Sequence, residues 1–212
     1  MDLLSRFKQE GEKDPSLINN RQILGFTVSN IFAGSDSTAI TLRTIFYYLL
    51  KQPATMGRLM VELDGASYER DGGIIGFREA RELPYLTAVV QEALRVFPAV
   101  GVPLERVVPA GGLEVEGHSI PAGTVIGASA WTLHRKDSIF GERTEEFRPE
   151  RWIEASEEQK ILMNNALFTF GIGSRSCIGK NISMLEIYKL VPTVLRKFEV
   201  SDHLIREATN GC

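Results

Sequence analysis

The 212-residue sequence predicts a mainly α fold with a small antiparallel β-sheet. Three observations carry that expectation. Apolar residues recur at helical spacing over most of the chain, and between residues 104 and 130 the period changes to two with many Val, Ile and Thr. No internal repeat or low-complexity tract appears. The composition, 43% hydrophobic and 24% charged, is that of a globular chain, and one of this length buries roughly 70% of the surface it exposes unfolded.

Residues 1 to 22 are charged and broken by Gly11 and Pro15, which predicts a helix, a loop and a new start capped by Asn19 or Asn20. A long central helix follows over about 19–51. Its apolar positions are Ile23, Leu24, Val28, Ile31 and Phe32, then Ile40, Leu42, Ile45, Phe46, Leu49 and Leu50, and Pro53 stops the run. At 1.5 Å per residue such a helix spans roughly 45 Å. A shorter helix is expected over Gln52 to Leu63, then a Gly-rich connection through Asp71-Gly72-Gly73. The helix over about 84–97 carries Leu86, Val89, Val90, Ala93, Leu94 and Phe97 on one stripe, closed by Pro98. The small sheet over about 104–130 is punctuated by Gly111-Gly112, Gly117 and Pro121-Ala122-Gly123, an irregular meander fills 131–167, and a cysteine loop with the last long helix occupies 168–197.

Several classes drop out. Two cysteines, Cys177 and the last residue Cys212, make no disulfide framework. A net charge of −3 with mixed signs gives no basic face for nucleic acid. The apolar stretches Ile23 to Ala33 and Ile40 to Leu50 fall short of the ~20 residues of a membrane span, and residues 1–8 lack the order of a signal peptide.

The chemistry sits in Phe168-Thr169-Phe170-Gly171-Ile172-Gly173-Ser174-Arg175-Ser176-Cys177-Ile178-Gly179, a glycine-rich loop that delivers one cysteine to the start of a helix. Unsatisfied helix N–H groups and Arg175 put positive potential around that sulfur and favour an anion. A nucleophile would want a nearby base, yet His118, His134 and His203 are in no recognisable cysteine-protease setting. A redox thiol would want a C-x-x-C partner, and zinc would want three more ligands. A single thiolate ligand remains, which suits an iron already held by four porphyrin nitrogens.

Phe170-x-x-Gly173-x-Arg175-x-Cys177-x-Gly179 resembles the haem-thiolate signature of the cytochrome P450 family. Three further segments are similar to that family in the same order. Glu92-Ala93-Leu94-Arg95 resembles its E-x-x-R, Phe147-Arg148-Pro149-Glu150-Arg151-Trp152 its P-E-R-[FW] segment, and Ala33-Gly34-Ser35-Asp36-Ser37-Thr38 its oxygen-activation segment. Read alone, Glu92 and Arg95 make a surface ion pair and Gly34 a turn between two helices. The apolar stripe favours burial of the pair, and the resemblance favours a distorted but continuous helix in which hydroxyls loosen the i to i−4 ladder. Ser37 stands where most members have Thr, with Thr38 following. Val100 to Gly112, Trp131 to Arg135 and Cys177 to Ser183 are similar to filamentous-fungal, pisatin-demethylase-type members, enzymes of secondary metabolism.

The resemblance implies the C-terminal half of the cytochrome P450 fold as one partial domain over 1–212, without the preceding half of the family's length and without its final strands. It implies haem b with Cys177 as axial thiolate and metal ligand. It also implies cofactor contacts from Phe170, Gly173, Arg175, Gly179 and Arg106, the two arginines pairing with propionates. Glu92, Arg95 and Arg151 are implied as a structural triad, Asp36, Ser37 and Thr38 as the proton-handling catalytic group, and Phe32, Ala33, Val100 and Val102 as substrate lining. The implied activity is hydroxylation of an apolar small molecule, with NADPH acting indirectly through a reductase. The alternative is a non-catalytic remnant with weak or no haem binding. Relatives of this kind are anchored in the endoplasmic-reticulum membrane. His134 reads as a packed structural residue rather than a ligand.

Overall fold

The computed structural model describes residues 2–66 and 74–201. The expected connection at Asp71 to Gly73, and both His203 and Cys212, lie outside the described residues. The chain divides into two compact units, residues 1–40 and 41–212, each taken here by itself.

In the first unit, α1 (Leu3–Lys13) starts where the Asp2 carboxylate accepts the Ser5 N–H at 2.7 Å. The long helix α2 (Asn20–Lys51) opens with a reciprocal capping box: Asn19 Oδ1 accepts the Gln22 N–H at 3.1 Å, and Gln22 Oε1 accepts the Asn19 N–H at 2.8 Å. Gly11 is needed between the helices, because a Cβ there would lie 2.7 Å from the Ile18 carbonyl oxygen and 3.3 Å from Ile23 Cδ1. Helix α2 passes Gly34 without a break. Its hydroxyls fold back on their own helix, Ser35 Oγ onto the Ile31 carbonyl and Ser37 Oγ onto the Ala33 carbonyl, each at 2.6 Å. The apolar stripe expected along α2 splits in character: Leu24, Ile31 and Phe32 are exposed, whereas Ile45 and Leu49, in the second unit, are fully buried.

The second unit packs the remainder of α2 with α3 (Pro53–Gly65), α5 (Pro84–Val96) and α10 (Lys180–Lys197) around Leu59, Leu63, Leu86, Val90, Ile187 and Val191. The short α4 (Phe77–Arg81) lies against α10. Pro53 and Pro84 each stand at the first turn of a helix, where a missing N–H breaks no ladder bond. Leu83 cannot cap α5, and Glu62 of α3 does so instead, its two oxygens accepting the Tyr85 and Leu86 N–H groups at 2.7 and 2.8 Å.

The period-two stretch forms two separate two-stranded ladders. β1 (Leu104–Val107) pairs antiparallel with β4 (Val125–Ala128), and β2 (Leu113–Val115) pairs with β3 (His118–Ile120) across a turn at Glu116 and Gly117, both at positive φ. Pro109 and Pro121 lie between the ladders and cannot donate, so pairing does not run through. Short helices α6 (Ala130–Leu133), α7 (Asp137–Phe140), α8 (Glu150–Glu154) and α9 (Glu157–Ala166) follow, and then two 3-10 turns, Phe168–Phe170 and Gly173–Arg175. Among the described residues no helix is long and apolar enough to cross a membrane.

Candidate functional site

Besides its apolar core, the second unit buries a polar cluster whose side chains are all hydrogen-bonded. Glu92 and Arg95 face the same side of α5 one turn apart, and neither has any solvent exposure. Arg95 grips the Glu92 carboxylate with two bonds, Nε to Oε2 at 2.9 Å and Nη2 to Oε1 at 2.8 Å. Its other donors go to the carbonyls of His134, Thr144 and Glu146. From α8, Arg151 Nε reaches Glu92 Oε1 at 2.9 Å and Trp152 Nε1 reaches Oε2 at 2.9 Å, and the Arg148 N–H adds a bond of 2.8 Å. The remaining Arg151 donors hold the carbonyls of Phe140, Glu142, Arg143 and Glu146. Burial pulls the Arg151 guanidinium below its usual range, and the Glu92 carboxylate opposes that. One carboxylate and two guanidiniums thus clamp α5, α8 and the loop over 141–149 together. Desolvation of these charges is tolerable only because every buried side-chain polar atom among the described residues has a partner.

The C-terminus of α5 presents carbonyls that its own helix cannot satisfy, and three segments answer them. Thr169 Oγ1 donates to the Leu94 carbonyl at 2.8 Å, His134 Nδ1 lies 3.0 Å from the Arg95 carbonyl, and Arg135 Nη2 donates to the Val96 carbonyl at 3.3 Å. His134 is fully buried, and its far nitrogen, Nε2, accepts the Phe168 N–H at 2.8 Å. That pair of partners fixes a neutral ring with the proton on Nδ1. Burial pushes its pKa down to about 4. The charges of Arg95 and Arg135 add to the fall, and the bond to the Arg95 carbonyl opposes it.

The cysteine loop is built on that anchored end. The Gly171 N–H bonds the Phe168 carbonyl at 2.9 Å, the Ser176 N–H bonds the Gly173 carbonyl at 3.1 Å, and the Cys177 N–H closes the loop on the Phe170 carbonyl at 2.8 Å. Gly171 has φ 67° and ψ −172°, a region nearly reserved for glycine, and a Cβ there would meet Leu104 Cδ1 at 3.4 Å. Gly173 has φ 69°. Gly179 caps α10, and a Cβ on it would lie 3.8 Å from Cys177 Sγ, an ordinary contact. Cys177 itself is exposed, as are Ile172, Ile178 and Ile182 around it.

Arg175, from this loop, and Arg106, from β1, line one cleft of about 610 Å³ together with Leu104, Glu105, Val107 and Val125. Arg106 Nη1 donates to the Glu105 carbonyl at 2.6 Å. Val100 and Val102 are exposed between α5 and β1. Phe32, Ala33, Asp36, Ser37 and Thr38 belong to the first unit, where Phe32, Ala33 and Asp36 are exposed and Thr38 is buried. Sequence reasoning missed the bridging role of His134, the Trp152 indole bond to Glu92 and the Thr169 anchor. Their types and spacing carry no signal, since each depends on partners 34 to 75 residues away.

Among the described residues this mainly helical protein presents one exposed thiol on an anchored loop, with two arginines sharing a cleft that the same loop lines. A family model described as Cytochrome P450 matches residues 1–208. The "Cytochrome P450 monooxygenase" of Aspergillus terreus is 48% identical over 201 residues, 94% of this chain and 41% of its own. "Cytochrome P450 monooxygenase ACRTS1" of Alternaria alternata is 44% identical over 202 residues, 94% of this chain and 53% of its own, and a "Pisatin demethylase" of Fusarium vanettenii is 48% identical over 183 residues, 86% and 34%. The chain belongs to the cytochrome P450 family, and it spans about half or less of the length of these curated relatives. The family implies a haem cofactor. The residues present fit that group: an exposed thiol for a metal, guanidiniums for carboxylates, and surrounding apolar side chains for a porphyrin.

Proposed function

We propose that this chain supplies the thiolate side of a haem-dependent monooxygenase that hydroxylates an apolar small molecule. The observation that supports this best is the exposed Cys177 on a loop hydrogen-bonded both to α5 and to itself, with Arg175 and Arg106 in a common cleft. Haem b, when bound, supplies dioxygen activation and oxygen insertion, with electrons passed from NADPH through a reductase. In this reading Cys177 Sγ would hold the iron, Arg106 and Arg175 would hold the propionates, and Phe170, Gly173 and Gly179 would keep the backbone close around the sulfur. The buried Glu92, Arg95 and Arg151 stiffen the scaffold beneath the loop and take no part in the chemistry.

On α2, Asp36 is exposed and exchanges protons with solvent, and the hydroxyls of Ser37 and Thr38 pass them on. Ser lacks the methyl that fixes a Thr rotamer, so its hydroxyl is less constrained. In the same reading Val100 and Val102, exposed in the second unit, contact the substrate, and Phe32 and Ala33 are exposed on the first unit's part of α2.

Carbon monoxide is the test. The haem-loaded, reduced chain gives the red-shifted Soret band of a thiolate ligand, and Cys177→Ala removes it. Intact helical circular dichroism without that band would identify instead a non-catalytic remnant. Asp36→Asn keeps the band and slows NADPH- and reductase-dependent product formation.

A further inference from the structure

Among the described residues, His134 joins the end of α5 to the start of the cysteine loop with both of its polar atoms. Its Nδ1–H is spent on the Arg95 carbonyl at 3.0 Å and its Nε2 on the Phe168 N–H at 2.8 Å. The Phe168 carbonyl then takes the Gly171 N–H, and the Phe170 carbonyl takes the Cys177 N–H. A continuous run of short hydrogen bonds therefore leads from the helix that carries the Glu92–Arg95 pair to the backbone of the cysteine. The ring also sits edge-on to Phe140, at 5.7 Å between centroids, which fixes its plane.

We propose that His134 is a positioning residue for Cys177: as a neutral, two-ended strut it sets where the cysteine loop begins relative to α5. This rests on the haem-thiolate reading for its purpose, though not for its geometry. The strut works because a ring offers one donor and one acceptor on opposite sides, and the buried Arg95 carbonyl and Phe168 N–H each need a partner. Thr169, bonded to the neighbouring Leu94 carbonyl, fixes the loop's position but leaves the Phe168 N–H unanswered.

Two substitutions separate the two ends of the strut. In His134→Asn the amide nitrogen overlays Nδ1 and keeps the Arg95 carbonyl satisfied, but the side chain stops short of Phe168. In His134→Gln the amide reaches the place of Nε2 and presents an oxygen to the Phe168 N–H, but gives up the Arg95 carbonyl. Amide hydrogen exchange is measured on the 212-residue chain without haem, at Phe168, at Cys177 and at Val90 in the middle of α5. His134→Asn is expected to speed exchange at Phe168 by about tenfold, and at Cys177 to a lesser degree, with Val90 unchanged. His134→Gln is expected to stay within about threefold of the parent at all three. The proposal is overturned if His134→Asn leaves Phe168 protected, if His134→Gln exposes it as much as His134→Asn does, or if either variant loosens Val90 equally. With haem and carbon monoxide added, each variant should lose part of the thiolate band, since each releases one end of the strut, and a variant that keeps the band in full overturns the two-ended reading. A parent chain that shows no thiolate band, while His134→Asn still releases Phe168, sinks the haem reading and leaves the strut standing.

Discussion

Glu92 has two positive neighbours and no exposure, so the three side chains are unequal in what their loss does. Arg95→Ala leaves Glu92 paired with Arg151 and the Glu146 carbonyl still within reach of Arg151, but strands the carbonyls of His134 and Thr144, and should cost about 3–5 kcal/mol of stability. Glu92→Gln should cost more than Arg151→Gln, because it leaves two guanidiniums buried without a counter-charge. Urea unfolding of the three variants measures the order, and a loss under about 1 kcal/mol for Arg95→Ala would mean a surface-like pair. His134 gives a pH dependence. Its ring takes a proton near 6.5 when unfolded and only near about 4 when folded, so the unfolded chain binds more protons between those values. Stability therefore falls as pH drops from 6.5 towards about 4, by about 3 kcal/mol at most, and levels off below. His134→Gln, which cannot titrate, should show a flatter profile over the same window.

At the scale of elements, the cysteine loop depends on glycine for conformation more than for space. Gly171→Ala forces a side chain into a region close to glycine-only, and should cost about 1–3 kcal/mol while weakening the thiolate band. Thermal unfolding and the carbon monoxide spectrum read the two effects separately. Helices are legible because their signals are local: the Asn19 cap, Pro84 at the start of α5 and the stripe from Leu86 to Leu94 each belong to a single helix. The ladders were only half legible. Period two marks strands but not partners, and nothing short-range says that Pro109 and Pro121 divide the stretch into two pairs. The site divides in the same way. Motif spacing places Glu92 beside Arg95, whereas the bonds from His134 to Phe168 and from Thr169 to Leu94 join segments far apart in sequence.

Across the whole molecule, large apolar side chains remain on the outside, Phe32 on α2 and Ile172, Ile178 and Ile182 around the cysteine among them. A ligand that covers the second group binds the folded chain better than the unfolded one. Haem should therefore raise the melting temperature, corresponding to about 2.7 kcal/mol at a hundredfold excess over the dissociation constant, and Cys177→Ala should blunt that rise. Differential scanning calorimetry with and without haem checks it. An unchanged melting temperature in the parent would argue that those side chains cover nothing of the kind.

The last turn of α5 lends three consecutive carbonyls, those of Leu94, Arg95 and Val96, to three different parts of the chain. Adding one residue ahead of them would swing all three by about 100° around the helix axis. Thr169, His134 and Arg135 would miss their targets together, so insertion scanning should find this turn intolerant, while added residues at the Glu116-Gly117 hairpin tip are absorbed.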